Sequence, residues 1–332
     1  MKMPLLPLLA AALAVPAAAE VVALNGAGAT FPYPIYSKWF DKYHELKPAA
    51  QINYQSIGSG GGIRQVTERT VDFGASDGPM TDAQLFKVDG KLLHIPTVLG
   101  AVVPAFNVKG VEKLALSGTV LADVFLGKIR KWNDPAIAKL NEGAALPDAP
   151  ITVVHRSDGS GTTYCFVDYL SSVSKEWEKT AGRGTSVKWP IGLGGKGNEG
   201  VAGLVQQTPN SIGYVELIYA KQNEIAYASM INKAGKAVHA DEEAVSLAAA
   251  GKKMPRDYRV SIVDAEGEKA YPISTFTWLL IYQVNPEPKG RILKDFLGWM
   301  LEDGQKLAPE LGYAPLPESV KKMVKETIKT IR

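Results

Sequence analysis

The chain has 332 residues, 46% of them hydrophobic and 21% charged, the balance of a globular protein and not of a disordered or fibrous one. At roughly 100 to 200 residues per domain the length suggests two domains, each able to bury a core. The 37 Lys and Arg are scattered against 34 Asp and Glu, for a formal charge of +3, so the dense basic stripe of a nucleic-acid binder is excluded. One cysteine, Cys165, permits neither an internal disulfide nor a Cys-based zinc site.

In chain order, Met1 to Glu20 carries Lys2, an apolar run from Pro4 to Val15, and Ala17-Ala18-Ala19. This pattern predicts a signal peptide over 1–19. A membrane anchor is the alternative, but it needs ~20 apolar residues, and Pro7 and Pro16 interrupt the stretch. With no Cys near the cleavage point for a lipid anchor, the mature protein is expected free in a bacterial periplasm. Periodicity then predicts a helix over 32–44, a strand over 51–55, a helix over 61–69, a strand over 71–75, a long strand-like run over 95–107 and a helix over 119–126. A strand over 151–155 and a helix over 160–174 follow, then a Gly/Pro-rich loop over 190–200, a helix over 201–207 and a strand over 212–215. Residues 232–259 read as surface. A strand over 277–282, within the apolar run 271–284, precedes a helix over 292–301 and a Lys-rich amphipathic segment over 317–332, read as a solvated surface helix. Strands alternating with helices predict an α/β fold.

Three turns share one composition: Gly26-Ala27-Gly28-Ala29-Thr30-Phe31, Gly58-Ser59-Gly60-Gly61-Gly62 and Asp158-Gly159-Ser160-Gly161-Thr162. Each sets a hydroxyl among small residues directly before a helical pattern. Backbone can approach a ligand there, and the first N–H groups of the helix lack partners. Such turns cradle anions. Arg156 and Asp77, the latter in Ala75-Ser76-Asp77-Gly78, add charge nearby. Gly192-Leu193-Gly194-Gly195-Lys196-Gly197 matches a dinucleotide fingerprint in letters, but Trp189-Pro190 breaks the strand that should lead into it, so the match reads as accidental and the loop as structural. His44, His94, His155 and His239 lack ligand spacing and read as surface or structural, and Cys165 reads as a small core residue.

GAGATFP at 26–32, INYQSIGSGGG at 52–62, TVDFGASDGP at 70–79, LGKIRKWNDPAIAKLN at 126–141, RSDGSGT at 156–162, VKWPIGLGGKGNEG at 187–200 and IGYVE at 212–216 resemble the family of periplasmic phosphate-binding proteins, the capture components of phosphate ABC transporters. The likeness runs from about Asn25 to Tyr227 and from Tyr271 to the end; residues 228–270 match poorly. It implies a two-lobed periplasmic-binding-protein fold of class II with the ligand in the interlobe cleft. Lobe one would be 20–100 and 273–332, lobe two 101–272. It also implies phosphate contacts from Thr30, Phe31, Ser59, Asp77, Arg156, Ser160, Gly161 and Thr162, with no cofactor, no metal and no catalysis. The implied partners are inorganic phosphate and an inner-membrane permease with its ATPase, and the protein itself is expected to be a monomer.

The chemistry of these residues is consistent with a dehydrated oxyanion. Backbone N–H groups at 31, 161 and 162, the hydroxyls at 30, 59, 160 and 162, and the Arg156 guanidinium are donors. Asp77 fits only an anion that brings a proton, which phosphate does and sulfate does not. Asp158 either pairs with Arg156 or caps the helix at Ser160. Two rivals are a binder of sulfate or molybdate, and an ester hydrolase using Ser59 or Ser160 with His155; neither serine has an evident base and acid beside it.

Overall fold

The structure, a computed structural model, describes residues 21–332; the segment read as a signal peptide lies outside them. The first part of the chain alternates strand and helix: β1 (Val22–Gly28), α1 (Tyr33–Leu46), β2 (Ala50–Ser56), α2 (Ser59–Thr67), β3 (Phe73–Ser76) and α3 (Asp82–Leu85). α1 turns Ile35, Tyr36, Trp39, Phe40 and Tyr43 to the core, the i, i+4 stripe of a helix lying on a sheet. β4 (Leu92–Asn107) is buried along its whole length except at Asn107.

The second part holds β5 (Ala115–Ser117), α4 (Gly118–Phe125), α5 (Pro135–Ala138), β6 (Thr152–Arg156), α6 (Gly161–Val173), α7 (Lys175–Thr180), β7 (Leu193–Gly195), α8 (Gly197–Gln207), β8 (Ser211–Glu216), α9 (Leu217–Gln222), β9 (Ser229–Ile231), β10 (Ala237–Val238) and α10 (Glu242–Ala250). The chain ends with β11 (Ser274–Tyr282), α11 (Lys289–Leu301) and α12 (Glu318–Lys329).

Eight strands form one sheet in the order β2-β1-β3-β11-β4-β8-β6-β7, and β10-β9-β5 form a small second sheet. β4 joins the two halves of the large sheet, pairing with β11 up to Ala101 and with β8 from Val102 onward. β1, β2 and β3 run parallel in one half, and β6, β7 and β8 in the other. In a parallel sheet the loops leaving the carboxyl ends of the strands gather along one edge, and ligands bind there where the strand order switches. The turns after β1, β2, β3, β6 and β7 are those loops.

Each half has an aromatic core. Phe40 meets Tyr54, Phe73 and Phe296 at ring-centroid distances of 6.1, 6.0 and 5.4 Å. In the other half Phe166 lies 4.8 Å from Phe125 and 4.2 Å from Tyr214.

Three expectations need correction. The strand expected at 71–75 occupies Phe73–Ser76, because the Asp72 carboxylate turns aside to accept from Lys289 and from the Asn25 N–H. α2, α8 and α11 begin two to four residues earlier than their apolar periodicity suggests, since glycines open α2 and α8 and carry no periodic signal. Residues 232–259 are not merely surface: α10 buries Ala244, Val245, Ala248 and Ala249, and Tyr258 is 2% exposed. Small alanines made that buried face look polar. Cys165 is buried in α6, as read.

Phe40→Ala removes the ring that ties α1 to both the sheet and α11, and is expected to cost about 3–5 kcal/mol. Urea unfolding followed by tryptophan fluorescence measures this; a loss below about 1 kcal/mol would contradict the packing described.

Candidate functional site

α1, α2, α6 and α8 all begin at the same place. Thr30, Phe31, Ser59, Asp77, Arg156, Ser160, Thr162 and Asn198 are each 3% exposed or less, and Gly161 is buried with them. They come from opposite halves of the sheet. Ser59 Oγ accepts from the Gly161 N–H at 3.0 Å and from the Asp77 N–H at 3.3 Å. The Gly60 N–H donates to the Gly159 carbonyl at 2.8 Å. Such close passage of backbone demands glycine: a Cβ on Gly161 would lie 2.5 Å from both Asp77 Oδ2 and Ser59 Oγ.

Arg156, at the last position of β6, lies within the protein with its side chain 1% exposed. Its Nε and Nη2 donate to the two oxygens of Asp158 at 2.7 and 2.6 Å, and Nη1 reaches Thr162 Oγ1 at 3.4 Å. Asp158 thus pairs with Arg156, while α6 is capped by Ser160, whose hydroxyl accepts from the Thr163 N–H at 3.0 Å. Burial alone would raise the Asp158 carboxyl; the Arg156 bonds and charge, with the Gly197 N–H, hold it below its usual value. This bidentate pair locks the guanidinium plane and offsets part of its field.

Asp77 is the second carboxyl. Thr277 Oγ1 donates to its Oδ1 at 2.8 Å and Ser59 Oγ to its Oδ2 at 3.5 Å. Burial pushes its pKa from 3.8 up to about 7, against the Thr277 bond, the Arg156 charge and the Ser59 bond.

The loop read as structural from Gly192 to Gly197 is a fourth turn of the site, and that reading is corrected. Leu193–Gly195 does form an edge strand beside β6, and α8 follows directly, with the Gly197 N–H on Asp158 Oδ1 at 3.1 Å. Asn198 Nδ2 donates to Thr30 Oγ1 at 2.7 Å and to Thr162 Oγ1 at 3.1 Å, bridging the two halves. Asn198 was missed because it presents an amide where the other turns present hydroxyls. Tyr219 and Tyr313 were missed as well: their hydroxyls hold the carbonyls of Thr30 and Phe31 at 2.5 and 2.6 Å. Thr277 carries no local signal, since it lies 200 residues from Asp77.

The His155 ring makes no hydrogen bond to a side chain of this cluster. It stacks on Trp189 at 4.8 Å, and Nδ1 lies 3.0 Å from the Arg156 carbonyl. Among the described residues no cluster of His, Cys, Asp and Glu is arranged to hold a metal ion, and no helix is long and apolar enough to cross a membrane.

A family profile described as a PBP superfamily domain matches residues 14–303. The phosphate-binding protein PstS of Pasteurella multocida is 49% identical over 92% of this chain and 90% of its own length. The chain belongs to the PstS family of phosphate-binding proteins. A more distant PstS, from Methanocaldococcus jannaschii, is 38% identical over 94% of this chain and 87% of its own. The same α/β periplasmic-binding-protein fold is seen in a high affinity periplasmic phosphate-binding protein (PfluDING) solved with bound phosphate, at a TM-score of 0.76 and 23% identity over 92% of this chain and 93% of that one. A phosphate-binding protein from Stenotrophomonas maltophilia superposes at 0.71 with 20% identity, over 92% and 94%. The four turns meet where the two halves of the large sheet face each other.

The raised pKa of Asp77 makes stability depend on pH. A carboxyl whose folded value lies above its unfolded value contributes stability that is fully present below 3.8 and is lost as pH rises through about 7. In wild-type protein freed of small anions, thermal unfolding is expected to show that fall across this window, and Asp77→Asn is expected to flatten it. Equal slopes in the two proteins would place the titrating group elsewhere.

Proposed function

We propose that this protein captures inorganic phosphate in the periplasm and delivers it to an inner-membrane ABC permease with its ATPase. The reading is carried by the buried meeting of four helix N-termini and the Arg156–Asp158 pair around the carboxyl of Asp77. Each helix end presents about half a positive charge and N–H groups that have no partner within their own helix. Together with the Thr30, Ser59, Ser160 and Thr162 hydroxyls, these ends can replace the water of a tetrahedral oxyanion on every side. The Phe31, Gly161 and Thr162 N–H groups and Arg156 complete the set, and Asn198 orients two of the hydroxyls. The names of the PstS relatives agree with this ligand. The lobes are 20–100 with 273–332, and 101–272; the change of partner along β4 at Ala101 supports that division, and closure brings Ser59 and Gly60 onto Gly159 and Gly161. The protein acts as a monomer, and the leader 1–19 exports it.

A hydrolase is disfavoured by the site itself. Neither serine hydroxyl is hydrogen-bonded to an imidazole: Ser160 Oγ accepts its helix cap, and Ser59 Oγ accepts from the Gly161 N–H and lies 3.5 Å from Asp77 Oδ2. The one nearby imidazole, His155, is stacked on Trp189 outside the cluster.

Arg156→Ala leaves Asp158 without its partner and the anion without its guanidinium, so phosphate affinity is expected to fall by roughly 2–5 kcal/mol. Lys196→Ala alters an exposed side chain and is expected to change it little. Titration calorimetry on both variants tests the placement, and comparable losses would overturn it.

Asp77 also determines selectivity. Phosphate brings a proton to share with the carboxylate, whereas sulfate brings none and can be accepted only when Asp77 is itself protonated. Sulfate affinity is therefore expected to weaken about tenfold per pH unit above 7. Asp77→Asn should remove that dependence and narrow the gap between phosphate and sulfate. Binding of both anions by wild type and variant, measured across pH at one ionic strength, decides it: a phosphate-to-sulfate ratio that the variant leaves unchanged would move selectivity to cleft shape.

A further inference from the structure

Remote from the four turns, a cavity of about 460 Å³ opens between the start of β4, α12 and the segment 256–259. That segment belongs to the stretch that least resembles the family. The volume is in the range of a small-molecule site. Leu85, Leu92, Leu93 and the ring of Tyr258 line its walls.

At its floor is His94, 4% exposed. The ring Nε2 lies 3.1 Å from the Met80 N–H and accepts from it, so the ring proton resides on Nδ1. Nδ1 has no protein acceptor among the described residues, and the ring borders the cavity. Burial, followed by the Arg259 charge, lowers the pKa of His94 to about 4, so the ring is a neutral donor at ordinary pH.

The rim is cationic. Arg259 is committed, to Asp82 at 2.7 Å and to Asp257 at 2.8 Å, and Glu326 pairs with Lys329 at 2.6 Å. Lys91 and Arg256 also line the cavity, and neither makes an ion pair among the described residues.

From the apolar walls, the unpartnered His94 donor and the two uncommitted cations, we infer that this cavity is a second binding site, for a small organic anion with an apolar body, such as an aryl-alkyl carboxylate. The carboxylate sits between Lys91 and Arg256, with the His94 Nδ1–H in reach of an oxygen, and the ring or chain covers the leucines. A second inorganic phosphate would leave those apolar walls unused. The site touches the first through Met80, whose N–H is held by His94 and whose carbonyl is held by Arg259 Nη1 at 2.9 Å, three residues beyond Asp77. Its existence does not depend on the identity of the anion bound there.

The test uses the full mature chain saturated with phosphate, so that the interlobe site is filled. 3-Phenylpropionate and its neutral counterpart 3-phenylpropanamide are titrated by calorimetry, and the His94 Nδ1–H resonance is followed by ¹⁵N NMR. The acid is expected to bind saturably and to shift that resonance, and the amide is expected not to. Lys91→Ala combined with Arg256→Ala, both exposed positions, is expected to weaken the acid at least about tenfold, while Arg156→Ala leaves it unchanged. Absence of saturable binding at millimolar concentration, equal binding of acid and amide, unchanged affinity in the double variant, or loss of binding in Arg156→Ala would each overturn the inference.

Discussion

Positive helix ends repel one another, and here four of them are brought together out of water. Each N-terminus carries partial positive charge on groups with no partner in the helix, and Arg156 adds a full charge at the same point. Two carboxyls, Asp158 and Asp77, temper this excess. The two oxygens of Asp158 accept from Nε and Nη2 of Arg156 in a bidentate pair, so Asp158 orients the guanidinium more than it cancels the helix ends. Asp77, pushed up to about 7 by burial, can give up or take a proton according to what lies beside it. The cluster is electrostatically incomplete without an anion, and the rest of the architecture serves to hold it in that condition.

The sheet is what makes the convergence geometrically possible. Parallel strands deliver their helices from one edge, and the two halves face each other because β4 belongs to both. β3 is antiparallel to β11, β11 to β4 and β4 to β8, so the two parallel halves run in opposite directions and their helix-bearing edges meet. The glycines at 60, 159 and 161 then permit backbone-to-backbone contact across the gap. Larger side chains at these points would hold the halves apart and let water into the site, where charge–dipole interactions weaken.

Behind the turns lies a layer of buried polar groups that fixes their carbonyls. The phenols of Tyr219 and Tyr313 hold the Thr30 and Phe31 carbonyls, and Glu216, wholly buried at the end of β8, accepts from the Ile218 N–H at 2.9 Å and from Tyr313 at 3.4 Å. Burial raises the Glu216 carboxyl well above its ordinary value.

Much of the chemistry was legible in local sequence, because small residues around a hydroxyl before an amphipathic run announce a helix N-terminus whatever the fold. Thr30, Ser59 and the Ser160-Gly161-Thr162 turn were found that way, and the alternation of strand and helix marked the fold as α/β. The Arg156–Asp158 pair was visible as one of two arrangements. Composition could not reveal the fourth turn, since Asn198 lacks the hydroxyl and its lead-in strand is only three residues long. Nor could it reveal Thr277, Tyr219, Tyr313 or the cavity that His94 lines, whose partners are far away in the chain. Local propensity records what a segment can do alone; which segments share a buried surface, and hence which carboxyl loses its water and has its pKa raised, is decided by the pairing of β4 with its two neighbours.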